Sequence, residues 1–120
     1  MKYSKNHTWV DVKDDIATVG ISNFAQKELG DINSIEFPEI GKKIRKKEVV
    51  CVLESSKAAS DIESPVSGEI AAINEELIEP YEKINTAPES LGWLYKIKIS
   101  DQSEIEGLME KEAYLDLVSS

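Results

Sequence analysis

Apolar and polar residues alternate with a period of two along much of this chain, the signature of strands with one face buried. Ala17, Val19 and Ile21 alternate with Thr18 and Gly20. The runs Trp9 to Lys13 and Ile16 to Ser22, with Asp14-Asp15 between them, predict a hairpin. Ser22 has the chemistry to cap a short helix that Gly30 ends in the left-handed conformation, with Phe24, Ala25 and Leu29 as its buried side. Ser34 to Phe37 predicts a strand that Pro38 stops, and Gly41 permits the turn beyond. Val49 to Leu53 is apolar at every position and predicts a strand covered on both faces. Glu69 to Ile73 predicts another strand after a turn at Gly68. Asn74 to Pro88 is expected to be a long polar connection. Trp93 to Ile99 predicts a last strand with Trp93, Tyr95, Ile97 and Ile99 on one face. The period then changes. Ile105, Leu108, Met109 and Leu115 fall near one side of a C-terminal helix over 102–118, in which Gly107 costs about 1 kcal/mol relative to Ala.

Short strands with regular turn signals predict a mainly β fold, a flattened barrel-like sandwich with a short helix near 22–29 and the helix near 102–118. No composition shift marks a linker, so residues 1–120 are expected to form one domain.

Composition narrows the function. The 14 basic and 23 acidic side chains give a net charge of −9. Such a surface repels phosphate backbones, so nucleic acid is not an expected partner. One cysteine allows no intrachain disulfide. Residues 1–6 lack the apolar core of a signal peptide, and no run approaches the ~20 apolar residues of a membrane helix. A cytoplasmic protein with no membrane association is therefore expected.

Lys57 is the residue with chemical promise. Ser55-Ser56 and Ala58-Ala59 flank it, so nothing bulky shields its amine. At a hairpin tip, such an amine is open to a modifying enzyme and free to swing afterwards. A solvated surface lysine has the same local pattern, and spacing alone does not separate the two. Glu54 and Asp61 flank the lysine as orienting groups or as plain strand-end charges. Cys51 sits in the apolar run as an inert core thiol. His7, the one histidine, and Cys51 cannot supply a usual zinc set. The glycines form no phosphate-cradling loop. Trp9 and Trp93 read as core anchors. No nucleophile–base pair supports an enzyme.

The run Glu54-Ser55-Ser56-Lys57-Ala58-Ala59-Ser60-Asp61-Ile62, followed by Ser64-Pro65-Val66-Ser67-Gly68-Glu69, closely resembles the lipoylation motif of the H proteins of the glycine cleavage system. Tyr3, His7 and Trp9 resemble that family's N-terminal signature. Leu29-Gly30-Asp31-Ile32 and Glu36-Phe37-Pro38-Glu39-Ile40-Gly41 resemble its next block. Asn74, Leu77, Pro80, Ile84-Asn85, Pro88 and Gly92-Trp93-Leu94 follow in the family's order. A biotin carrier would place its lysine between two methionines, and the lipoyl domains of 2-oxoacid dehydrogenases lack the N-terminal block.

The resemblance implies a fold of the lipoyl/biotinyl-carrier type and a non-enzymatic carrier, with lipoate held as an amide on Lys57. The implied function is to shuttle an aminomethyl group from glycine decarboxylase to aminomethyltransferase. Dihydrolipoamide dehydrogenase would reoxidise the arm. A lipoate–protein ligase or an octanoyltransferase would install it. A monomer is expected of a protein that visits several enzymes. The family's signature is His-Glu-Trp, whereas this chain reads His7-Thr8-Trp9, with Asn6 before it. Asp61 matches the family's other acidic contact with the arm. Loss of the carboxylate at Thr8 is either a tolerated surface substitution or the mark of an H-like relay that passes lipoate to, or carries it for, another system. A cofactor-free binding module is a further alternative, against which the intact Lys57 motif speaks.

Overall fold

The computed structural model describes residues 1–119. Nine strands form two antiparallel sheets. In chain order they are β1 (Lys2–Tyr3), β2 (Thr8–Lys13), β3 (Ile16–Ile21), β4 (Ile32–Glu36), β5 (Lys43–Ile44), β6 (Val49–Ser55), β7 (Ala59–Glu63), β8 (Gly68–Ile73) and β9 (Tyr95–Ile99). The larger sheet has the order β1-β2-β3-β9-β8-β5, and the smaller β4-β6-β7. Helices α1 (Asn23–Leu29), α2 (Glu82–Thr86) and α3 (Lys111–Ser119) complete the chain.

The predicted hairpin forms β2 and β3. Asp14 takes the left-handed conformation, φ 59°, that tight hairpin turns favour. Trp9 lies opposite Gly20, where an added Cβ would come within 2.7 Å of the indole nitrogen, so only glycine lets that ring lie on β3. The inward residues of the two sheets share one core, which includes Val19, Ile21, Leu53, Ile62, Ile70, Leu94 and Ile97. A second apolar cluster of Tyr3, Trp9 and Tyr114 joins β1, β2 and α3.

The mainly β architecture holds, as two packed sheets rather than a closed barrel. Several local expectations do not. Val49 is 44% exposed, because a register shift between Val49 and Cys51 turns the start of β6 outward. Trp93 is half-buried in the second cluster and precedes β9, while Leu94 enters the main core. The helix expected over 102–118 is broken. Asp101 caps a 3-10 turn over Gln102–Gly107. Met109 then pairs with Tyr3 through two backbone hydrogen bonds of 2.8 and 2.7 Å, which excludes it from a helix. Only Lys111–Ser119 is α-helical, with Tyr114 buried and Leu115 half exposed.

The polar connection after Asn74 contains α2, and Ile84 on that helix is fully buried. Asn85 ties this segment to β4 through two hydrogen bonds with the Ile32 backbone, 2.8 and 3.0 Å. No helix among the described residues is long and apolar enough to cross a membrane.

Candidate functional site

Lys57 lies at the turn between β6 and β7. The rungs Leu53–Ser60 and Glu54–Ala59 lead to the turn, and Ser55 N–H donates to the Ala58 carbonyl at 2.8 Å. Among the described residues, the non-glycine residues with positive φ are His7, Asp14, Lys47 and Tyr81, so this turn uses no left-handed residue. Ser55 Oγ instead accepts from Ala58 N–H at 3.2 Å and closes the loop. Ser56, Lys57, Ala58 and Ala59 are all exposed. Small neighbours leave the lysine open on several sides.

One side has a wall. Helix α1 starts at Ser22, whose hydroxyl accepts from Ala25 N–H, and stops at Gly30. Gly30 has φ 80° and ψ −153°, not the left-handed conformation expected but a region that glycine alone occupies readily. A Cβ there would lie 3.0 Å from Lys57 Cε, so the bare glycine lets the lysine chain rest on the end of α1. At the other end of α1, the His7 ring packs on Phe24 with centroids 4.8 Å apart. Six residues of helix separate Phe24 from Gly30, about 9 Å. The wall thus runs from Lys57 to the N-terminal loop.

That loop is firmly held. His7 Nδ1 is hydrogen-bonded to Tyr114 Oη at 2.9 Å, and Tyr114 Oη to Ser22 Oγ at 2.6 Å. Thr8 is buried, and its hydroxyl is hydrogen-bonded to Ser4 Oγ at 2.6 Å. Position 8 therefore offers neither a carboxylate nor an outward hydroxyl. Asn6 Nδ2 donates to Glu63 Oε1 at 2.9 Å, which fastens the loop to the strand that returns from Lys57.

Glu54 and Asp61 are exposed and share the outer face of the hairpin, with Asp61 opposite Val52 and Glu54 opposite Ala59. They sit on a diagonal, so their side chains are about 7–8 Å apart. The structure thus gathers Asn6, His7 and Thr8 at one end of α1, and Lys57 at the other, with Asp61 on the hairpin between. Sequence reasoning does not reach the contacts of Gly30, Phe24 and Glu63 with the site. It identifies Gly30 as a helix stop within the block Leu29 to Ile32 and Phe24 as a buried helix residue, and no local pattern announces what they touch.

Cys51 is buried below the hairpin, and burial pushes its thiol up to about 12. A thiol that remains protonated is no nucleophile. No group of three or more potential metal-ligating side chains occurs among the described residues.

Comparison with known proteins fits this geometry. The profile of the glycine cleavage H-protein family matches residues 1–120. The glycine cleavage system H protein of Thermotoga maritima is 49% identical over 113 residues, covering 94% of this chain and 91% of that protein. The probable glycine cleavage system H protein of Aeropyrum pernix is 46% identical over 118 residues, covering 98% and 82%. The crystal structure of a glycine cleavage system H protein from Mycobacterium marinum superposes with a TM-score of 0.90 at 28% identity, over 99% of this chain and 96% of that one.

Proposed function

The chain belongs to the glycine cleavage H-protein family, and we propose that Lys57 is its lipoyl attachment residue. Proteins of this family are lipoyl carriers of the glycine cleavage system, not catalysts, and this chain is one of them.

The observation that carries Lys57 is its place at an open hairpin tip beside the Cβ-free surface of Gly30. The site fits the group: an exposed primary amine with small neighbours, and a bare glycine where the lysine chain meets the end of α1. Lipoate bound there supplies a redox-active disulfide that accepts and releases the transferred group. Amide formation also removes the ammonium charge, which lowers the cost of resting the chain on the end of α1 at Gly30.

The residues around it then have roles. The distance of about 9 Å from Gly30 to Phe24 is within reach of an extended arm on Lys57. His7 and Asn6 would border the far end of an arm resting on the helix, and Asp61 would be the acidic contact for a cationic load, since Thr8 is withdrawn against Ser4. Glu54 serves the attachment enzyme as an orienting charge. Glycine decarboxylase, aminomethyltransferase and dihydrolipoamide dehydrogenase are the partners of this reading. A lipoate–protein ligase or an octanoyltransferase installs the arm. Residues 1–120 act as one monomeric carrier domain in the cytoplasm.

The test is intact mass after incubation with lipoate, ATP and a lipoate–protein ligase, beside a Lys57→Ala control. Gain of one lipoyl amide in the native chain alone supports the assignment. A gain that persists in the control moves attachment to another lysine and sinks it.

A further inference from the structure

The charge of this chain is unevenly placed. Residues 42–47 read Lys42-Lys43-Ile44-Arg45-Lys46-Lys47, five cations and no acid. The other 114 residues carry nine basic and all 23 acidic side chains. This run forms edge strand β5 and the turn into β6.

The turn is rigidly built. Lys46 N–H donates to Ser67 Oγ at 2.8 Å, and Lys47 N–H to the Ser64 carbonyl at 2.8 Å. Glu48 N–H donates to the Arg45 carbonyl at 3.0 Å. Nearby acids are held by other groups of the turn and its surroundings. Both oxygens of Glu104 accept from Ser67, at 2.7 and 2.9 Å. Glu63 accepts from Asn6, and Glu48 takes the Arg45 N–H and Lys42. Among the described residues, no ion pair engages Lys5, Lys43, Arg45, Lys46 or Lys47.

Lys5, Lys46 and Lys47 line one groove of about 350 Å³, together with Pro65, Leu108 and Met109. Lys47 also has φ 76°, a conformation that costs a lysine about 1–2 kcal/mol and glycine almost nothing. The chain thus retains a cation where its backbone favours glycine.

We propose that this cationic edge, Lys43, Arg45, Lys46 and Lys47 with Lys5, is a docking surface for a short acidic segment of a partner protein. The limited extent of the patch argues for a short segment. Screening confines its field to about 8 Å at physiological salt, and the surface beyond is acidic. A long polyanion such as nucleic acid, or an anionic membrane, meets repulsion past the turn. A segment with a few carboxylates and an apolar residue for the groove does not. Strand β6 spans about 20 Å from this turn to Lys57. A partner docked here leaves the Lys57 turn free, so the interaction is independent of the lipoyl assignment.

The test is an NMR titration of the unmodified full chain with a hexaglutamate peptide at low salt. Shifts at the amides of Lys5 and residues 42–47, absent at Ser55 to Ala58 and abolished by about 300 mM NaCl, are expected. Reversal in Arg45→Glu/Lys46→Glu/Lys47→Glu is expected to weaken binding at least tenfold. The same charge change in Lys13→Glu/Lys27→Glu/Lys111→Glu, and Lys57→Ala, should leave it within about twofold. Lys46→Gln/Lys47→Gly, which relieves the backbone at 47, keeps the test valid should the reversal harm the fold. Equal loss in the distal triple variant, or no shifts at 42–47, overturns the proposal. So do larger shifts at these amides with phosphatidylserine vesicles or a duplex DNA 12-mer.

Discussion

At the tip of the β6–β7 hairpin, Lys57 and its three neighbours are exposed, and one hydroxyl, that of Ser55, closes the loop. Where β1, β2 and α3 meet, Tyr3, Trp9 and Tyr114 are each at most 3% exposed. Tyr3 and Tyr114 stack with centroids 4.7 Å apart. Tyr3 Oη donates to Glu89 at 2.6 Å, and Trp9 Nε1 to the Pro88 carbonyl at 2.8 Å. No buried side-chain polar atom among the described residues lacks a partner. The first region holds almost nothing and the second ties β1, β2, α3 and the segment at Pro88 and Glu89 together. A carrier needs both, because a swinging lysine is useful only if the surface it swings over keeps its shape.

The comparison breaks most readily at Tyr114. Its ring stacks on Tyr3, and its hydroxyl holds His7 and Ser22. Truncation removes a buried aromatic and leaves two polar groups without their partner. Tyr114→Ala should lose about 3–5 kcal/mol in urea unfolding. A loss below about 1 kcal/mol would mean that α3 does not brace the N-terminal loop.

Raised pH separates the regions by onset. Cys51 lies in the strand that leads to Lys57, and burial pushes its thiol from an ordinary 9.0 to about 12. The folded chain keeps this proton when the unfolded chain has released it. The contribution is therefore complete below about pH 9 and is lost as pH rises toward 12, by about 1.4 kcal/mol per unit. Burial and the neighbouring Glu89 carboxylate raise Tyr3, and burial raises Tyr114 and Tyr95, so their losses begin only above about pH 10. In Cys51→Ala, the fall between pH 9 and 10 should vanish while the steeper fall above 10 remains. Unfolding free energy measured across pH 8–11 decides it; an unchanged slope from 9 to 10 rules the thiol out.

The two regions also differed in how far the sequence disclosed them. The Lys57 turn was legible because all its parts lie within nine consecutive residues, Glu54 to Ile62. The hairpin at Asp14, the cap at Ser22 and the buried run around Cys51 were legible for the same reason. The aromatic cluster was not. Its partners lie 79 to 111 residues apart, from Trp9 with Pro88 to Tyr3 with Tyr114, and no periodicity encodes such a pairing. The broken helix over 102–118 has the same origin. Met109 has apolar helical spacing, but its bond to Tyr3, far back in the chain, takes it out of the helix. Helix α2 escaped because its five residues bury only Ile84. At the site, Thr8 could be named from its position, but its withdrawal against Ser4 could not.

Gly30 is where the open region touches its wall. Alanine there must adopt φ 80° and place Cβ 3.0 Å from Lys57 Cε. The backbone conformation alone costs about 1–3 kcal/mol. Gly30→Ala should therefore destabilise by about 2 kcal/mol, and displace the lysine from the helix end as well. Limited proteolysis at Lys57 would show the second effect as faster cleavage than in the native chain, at a denaturant-free pH of 7. An unchanged cleavage rate would show that the glycine serves only to stop α1.

The smallest expected effect is the most discriminating. Lys57 is exposed, has no ion pair among the described residues, and contributes to the turn a weak backbone contact of 3.4 Å to Ser55 Oγ. Lys57→Ala keeps that backbone N–H and removes only solvated side chain and its contact with Gly30. Its unfolding free energy should stay within about 0.5 kcal/mol of the native value. Charge and packing both point to that null, since the amine has little to lose from truncation and the turn is closed by Ser55. A loss of 2 kcal/mol or more would show that the lysine is a structural strut over α1. The openness that distinguishes this turn from the aromatic cluster would then be only apparent, and an arm built on Lys57 would start from a side chain the fold could not release.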